Sequence, residues 1–189
     1  MKAIASAGFD ADLARRGQKY EHRMNAPTPY NALLWRAVVD RGDEFWVGYH
    51  SVFESQDKPV RWTIYSKNAA MLGNSASTRE VKTLTRFTDG WWIARTNAKG
   101  AWLGDMRAPE SRIWGSKKGM VDSRLLLAWS IHPTVKKDRL RRIFPDQRNA
   151  SDYLQRLAQR IIGNHESWEA NPRLAGIAGS LPEFLAVEE

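Results

Sequence analysis

The sequence predicts an α+β fold: a mainly antiparallel, twisted sheet of about six strands, with a capping-box helix and C-terminal helices packed on one face. Three observations carry that expectation. Stretches rich in β-branched and aromatic residues alternate with short turn-forming loops, too short for the crossovers that parallel strands need. A helix-start signal stands at Ser77-Thr78-Arg79-Glu80, and after His132-Pro133 the apolar residues fall into a helical period. The expected organisation is an N-terminal helix and lead-in (1–26), a sheet domain (27–131), C-terminal helices of the same domain (132–170) and an irregular tail (171–189).

Up to about His22 the chain reads as a polar helix whose apolar residues Ile4, Leu13 and Tyr20 are too sparse for a clear stripe, as if its packing partner were missing. Ala26-Pro27-Thr28-Pro29 then breaks any helix, because each proline removes a donor and restricts the residue before it. Ala32–Val39 and Glu44–His50 form a predicted hairpin around the turn chemistry of Asp40-Arg41-Gly42-Asp43. Alternation of Val60, Trp62 and Ile64 with Arg61, Thr63 and Tyr65 adds a third strand, expected beside the second.

In the helix-start signal, Ser77 accepts from the third helical N–H and Glu80 reaches back, with Val81 and Leu84 on one face and an end near Phe87. Trp91–Thr96 and Ala101–Met106 flank Asn97-Ala98-Lys99-Gly100, a second hairpin signal. Val121–Ile131 reads as a long final strand. Beyond it, Leu154, Leu157, Ala158, Ile161 and Ile162 make the helical stripe. From Asn171-Pro172 onward, Gly176, Gly179 and Pro182 mark the tail.

The chain has 189 residues, 42% apolar and 11% aromatic, enough for a real core, and its nine tryptophans are expected mostly inside it. Cysteine is absent, which excludes disulfides, thiolate catalysis and cysteine-based metal sites, and fits a reducing compartment. Ala3–Phe9 is too short for a signal-peptide core, and the longest apolar run elsewhere, Leu125–Trp129, is strand-sized, so no span crosses a bilayer.

The net charge of +8 is uneven, with eleven Lys or Arg against four Asp or Glu over Arg107–Arg148 and three against six from Asn149 to the end. The basic candidates are Arg112, Lys117, Lys118, Lys136, Lys137, Arg139, Arg141 and Arg142. A local excess of this kind favours polyanions, either nucleic acid or an anionic lipid surface, and otherwise forms a solvated face.

The chemistry-bearing residues offer no catalytic assignment. The four histidines, 22, 50, 132 and 165, have no i, i+4 pairing for a metal, and no glycine-rich phosphate cradle is present, so neither metal nor cofactor is expected. Gly73-Asn74-Ser75-Ala76-Ser77 lacks the final glycine and the feeding strand of a nucleophile elbow and reads as a loop before the helix. Asp105 and Arg107, two apart at a strand end, project to one face and can pair. Arg36, like Asn31 flanking Leu33, Leu34 and Trp35, must reach solvent or a partner, and Asp105 is the partner expected for it. Arg61-Trp62, Arg86-Phe87 and Arg112-Ile113-Trp114 interleave basic and aromatic residues as a single-strand nucleic-acid surface would, and as any half-buried strand also does.

Pro27-Thr28-Pro29-Tyr30-Asn31-Ala32-Leu33-Leu34-Trp35-Arg36, then Phe87-Thr88-Asp89-Gly90-Trp91, then Asp105-Met106-Arg107 resemble the ordered landmarks of one bacterial family, the membrane-bound metal-dependent hydrolases of the LexA-regulated inner-membrane type. The likeness runs from about Pro27 to Ile131, in the soluble segment after that family's last membrane helix. It departs at Met106, where the family has leucine, and at Ala108-Pro109-Glu110, where it has glycine. The resemblance implies a separated soluble domain whose N-terminal helix continues from a membrane helix. The metal-site residues of that family lie in a membrane-embedded part that has no counterpart here, so none is carried over.

On this reading the expected function is that of a non-catalytic soluble module of such a hydrolase, at the cytoplasmic face of the inner membrane. Its partner is the membrane-embedded part or the anionic surface, and Asn31, Trp35, Arg36, Asp105 and Arg107 are its structural or ligand-facing landmarks. The alternative is a free-standing nucleic-acid-binding protein with a basic, tryptophan-rich surface. A third reading, a hydrolase pairing Asp105 with a histidine, has no spacing that enforces it.

Overall fold

The computed structural model describes residues 1–97, 100–110, 125–132, 140–143, 150–165, 168 and 183–184. In chain order its elements are α1 (Lys2–Arg15), β1 (His22–Pro27), β2 (Leu34–Asp40), β3 (Glu44–Ser51), β4 (Thr63–Ser66), a 3-10 segment (Ala69–Ser77), α2 (Arg79–Phe87), β5 (Trp92–Asn97), β6 (Gly100–Asp105), β7 (Ala128–Ile131), β8 (Leu140–Ile143), α3 (Ala150–Ile161) and β9 (Glu183–Phe184). Among the described residues no helix is long and apolar enough to cross a membrane.

The α+β class holds, but the expected single sheet of about six strands is replaced by two antiparallel sheets. Contacts divide the chain into two compact units, one of Met1–Tyr65, Arg112–Gly115 and Gln147–Glu189, the other of Ser66–Ser111 and Ser116–Asp146. The physical reason is that hairpin signals specify only which neighbours pair. Nothing in their periodicity says whether the next hairpin joins the same sheet.

In the first unit the sheet runs β1-β2-β3-β4, with the two-residue β9 on the outer edge of β4. The β2–β3 hairpin forms as its turn chemistry predicts, and Asp40 accepts from the Gly42 amide at 3.0 Å. Every residue of β2 is buried because helices cover both faces, where one covered face was expected. Trp35, Ala37, Val39 and Trp46 pack with Ala5, Phe9 and Leu13 of α1. On the other face Trp168, just beyond α3, stacks edge-on against Tyr49 at 5.5 Å and packs on Tyr153 of α3 at 5.7 Å.

The expectation that α1 lacks a partner is therefore corrected. Its stripe is built from Ala5, Gly8, Phe9 and Asp12 as well as Leu13, and the small residues hid it. Asp12 fixes the contact: it accepts from Trp62 Nε1 at 2.7 Å, the Val60 amide at 3.2 Å and Arg16 Nε at 2.8 Å. β1 stands where only the lead-in and the start of the Ala26–Pro29 break are expected, since His22-Arg23-Met24-Asn25 carries little strand propensity and it is pairing with β2 that makes the strand. The expected stripe on α3 is also rotated. Tyr153, Leu157 and Arg160 are its buried positions, while Leu154 and Ile162 are exposed.

In the second unit β5-β6-β7-β8 form an antiparallel meander. Leu72 of the 3-10 segment and Val81 and Leu84 of α2 cover Ala94, Leu103 and Ile131. Thr78, not Ser77, is the N-cap of α2 and accepts from the Val81 amide, so Glu80 falls one position short of the expected box. The long strand expected over Val121–Ile131 is β7 alone, with residues 121–124 outside the described set, and the strand β8 stands where helix was expected. A Cβ on Gly104 would run into Leu125, which explains glycine inside β6.

Candidate functional site

Fractional burial sorts the tryptophans first. Trp35, Trp46, Trp62, Trp102 and Trp168 are buried, Trp91, Trp92 and Trp129 are half-buried, and Trp114 lies outside the described residues. Arg61-Trp62 therefore offers no stacking surface. Arg86-Phe87 does lie outside, with Phe87 58% exposed at the end of α2.

The three landmark stretches have structural explanations in their own units. Asn31 organises the turn into β2: its Oδ1 accepts from the Leu33 and Leu34 amides at 2.9 and 2.7 Å, and its Nδ2 donates to Thr28 Oγ1 at 2.7 Å. Trp35 Nε1 donates to the Ala32 carbonyl at 3.0 Å. Arg36 is buried in mid-sheet, in register between Ala26 and Tyr49. Thr88-Asp89-Gly90 stops α2, Asp89 and Gly90 both having positive φ (51° and 79°).

Asp105, fully buried, takes Arg107 as its partner, with Nη2 at 2.8 Å from Oδ2 and Nε at 3.1 Å from Oδ1. The Asp105 hydrogen bonds, set against a smaller cost of burial, push the Arg107 guanidinium above its usual value. Asp105 thus serves as a counter-ion inside the second unit, while Arg36, the partner expected for it, belongs to the first. Arg107 also lies over the Phe87 ring at 5.1 Å, so the second and third landmarks meet, and Phe87 packs edge-on against Trp129 at 6.4 Å.

An ionic cluster lies in the first unit, and the sequence does not announce it because Glu54 and Lys58 come from one part of the chain and Arg160 and His165 from a distant one. Glu54 Oε1 lies 2.8 Å from His165 Nε2, 3.0 Å from Arg160 Nη1 and 3.1 Å from Lys58 Nζ, and Oε2 accepts from the Ser51 amide at 2.8 Å. Burial opposes the charge on Glu54, but the His165 hydrogen bond, the Arg160 charge and the Ser51 and Lys58 bonds outweigh it and hold the carboxyl well below its usual range. Arg160 also donates to the Tyr49 carbonyl at 2.7 Å, and Ser51 Oγ to that of Ile161. This network ties α3 to the sheet. Among the described residues no three His, Asp or Glu side chains converge as metal ligands.

The charge is divided more sharply between the units than along the sequence. The second unit holds fifteen Lys or Arg against seven Asp or Glu, and the first holds fourteen of each, so the whole excess of eight belongs to the second. Of the basic candidates from sequence, Arg112, Lys117, Lys118, Lys136, Lys137 and Arg139 lie outside the described residues, while Arg141 and Arg142 are exposed on β8. Arg142 stands opposite Trp129 in the β7–β8 register, on the face that carries Phe87.

The sequence reading did not single out the basic side of α2. Arg79, Lys82, Thr83 and Arg86, with Ser77, line an open cavity of about 460 Å³. Spacings of three and four bring the three cations to one side of the helix, a signal present in the sequence beside the apolar Val81–Leu84 face. Among the described residues none of the three lies within salt-bridge distance of a carboxylate, whereas Arg107, Arg15 and Arg16 are all paired. The chain matches no family model, no curated protein and no solved structure.

Proposed function

We propose that the chain is a non-catalytic module that associates with an anionic phospholipid surface at the cytoplasmic leaflet, as the soluble part of a membrane-bound hydrolase-like protein. The observation that carries the reading is the confinement of the net charge to the second unit. A unit with eight surplus cations feels a field that a neutral unit does not. Arg79, Lys82 and Arg86 on α2 and Arg141 and Arg142 on β8 supply accessible charge, at about 1 kcal/mol per basic residue held near such a surface. Exposed Phe87 and Met71 add apolar contact of the kind headgroup regions accept.

Lipid is favoured over single-stranded nucleic acid by the state of the aromatic residues. Base stacking needs free ring faces along a basic groove. Trp62 is buried, and Phe87, the most exposed aromatic of the second unit among the described residues, already has Arg107 over its ring and Trp129 against it. The Glu54 and Asp105 carboxylates each stand within ion-pair distance of a cation of their own unit, a structural pairing that supports binding rather than turnover.

Co-sedimentation with anionic and neutral vesicles, at low and high salt and with a single-stranded oligonucleotide as competitor, tests the reading. Pelleting only with anionic vesicles, weakened by salt and unchanged by the oligonucleotide, is expected. Displacement by the oligonucleotide would replace it with the nucleic-acid reading, and no binding to either would leave the basic face as solvated surface.

A further inference from the structure

We infer that the cavity beside α2 is a binding site for a phosphate monoester, an inference that rests on the anionic-surface reading and gives it a specific ligand chemistry. Three cations crowd one side of a nine-residue helix whose sequence holds a single acid, Glu80. Lys82 and Arg86, four apart, repel one another, and like charges at that spacing weaken a helix. An anion held between them reverses that repulsion.

The lining fits phosphate. Two guanidinium groups, Arg79 and Arg86, each match a pair of phosphate oxygens, Lys82 adds a point charge, and the Thr83 hydroxyl can donate to a remaining oxygen. A monoester carries about −1.5 to −2 near neutral pH and three terminal oxygens, where a diester carries one charge and two such oxygens. Three cations on one side of the helix therefore favour the monoester. At about 460 Å³ the cavity exceeds one phosphate and leaves room for the group that bears it. Lipid-borne and soluble monoesters share this chemistry.

The test compares vesicles containing phosphatidic acid, a monoester, with phosphatidylglycerol vesicles of matched surface charge, and separately titrates the protein with glycerol 3-phosphate. Binding to phosphatidic acid should be at least about tenfold tighter, the tenfold standing for about 1.4 kcal/mol. That preference should disappear in Arg79→Gln/Lys82→Gln/Arg86→Gln and persist in Arg141→Gln/Arg142→Gln, which weakens binding to both vesicles alike. Equal binding to the two vesicles with no glycerol 3-phosphate binding overturns the cavity site and leaves the anionic-surface reading standing. Saturable glycerol 3-phosphate binding, lost in the α2 variant while no vesicle binds, supports the site and overturns the membrane reading. Absence of all binding overturns both.

Discussion

Arg107 folds back on Asp105 and lays its guanidinium 5.1 Å from the centre of the Phe87 ring, joining the end of β6 to the end of α2. Asp105 is fully buried, and Arg107 is the cation paired with it. Arg107→Ala should cost about 3 kcal/mol, the lower end of what stranding a buried charge costs, and Arg107→Lys should recover only part because it cannot bond in two places at once. Denaturant midpoints for the two variants and for Asp105→Asn/Arg107→Ala measure this, and a double variant as unstable as Arg107→Ala alone would sink the assignment.

Asp12 holds α1 to the sheet through bonds from Trp62, Val60, Arg15 and Arg16. Asp12→Ala leaves the buried indole N–H and the Val60 amide without an acceptor and should cost about 3–5 kcal/mol. Thermal melts followed by tryptophan emission report it, because Trp62 is fully buried against Phe9 and Trp46.

Acid should loosen the first unit in two separate windows. Burial lowers His50 from its ordinary 6.5, so as pH falls below 6.5 the unfolded chain binds a proton that the folded chain refuses, and stability falls. Glu54 is lowered from 4.5 by its partners, so its contribution is present above 4.5 and is lost as pH falls further. Unfolding free energy measured against pH should therefore decline from 6.5 and steepen below 4.5. His50→Gln should flatten the upper window and Glu54→Gln the lower one, and a profile in which neither variant changes its own window contradicts the assignment.

Close approach of β3 and the residues around Trp62 requires a missing side chain. A Cβ on Gly48 would stand 2.6 Å from Val60 Cγ1 and 2.8 Å from the Trp62 ring. Gly48→Ala should cost about 1–3 kcal/mol through overpacking, while the same change at Gly17, open to solvent at φ 59°, should show only the smaller backbone cost. Comparable losses at the two sites would argue against the tight contact.

The local elements were legible where a single stretch of chain determines them. Asp40–Asp43 makes its own turn, and Thr78, one residue from the expected cap, starts its helix. What could not be read was association. α1 buries glycine, alanine and aspartate, residues whose burial no hydropathy pattern announces. Arg160 lies on the buried face of α3 because Glu54 and the Tyr49 carbonyl receive it, while Leu154 on the same helix faces outward, the reverse of what apolar periodicity implies. The charge excess was visible along the chain, yet its confinement to one unit depends on knowing that α3 packs on the first sheet.

Hydrogen exchange with and without anionic vesicles reads each unit separately and so locates the membrane-facing surface. Association through the second unit should slow exchange in α2 and its flanks and in β7–β8, which carry Arg79, Lys82, Arg86, Phe87, Arg141 and Arg142, and leave β1–β3 unchanged. Protection confined to the charge-neutral first unit, or bound protein with no change in α2 and β8, would contradict it.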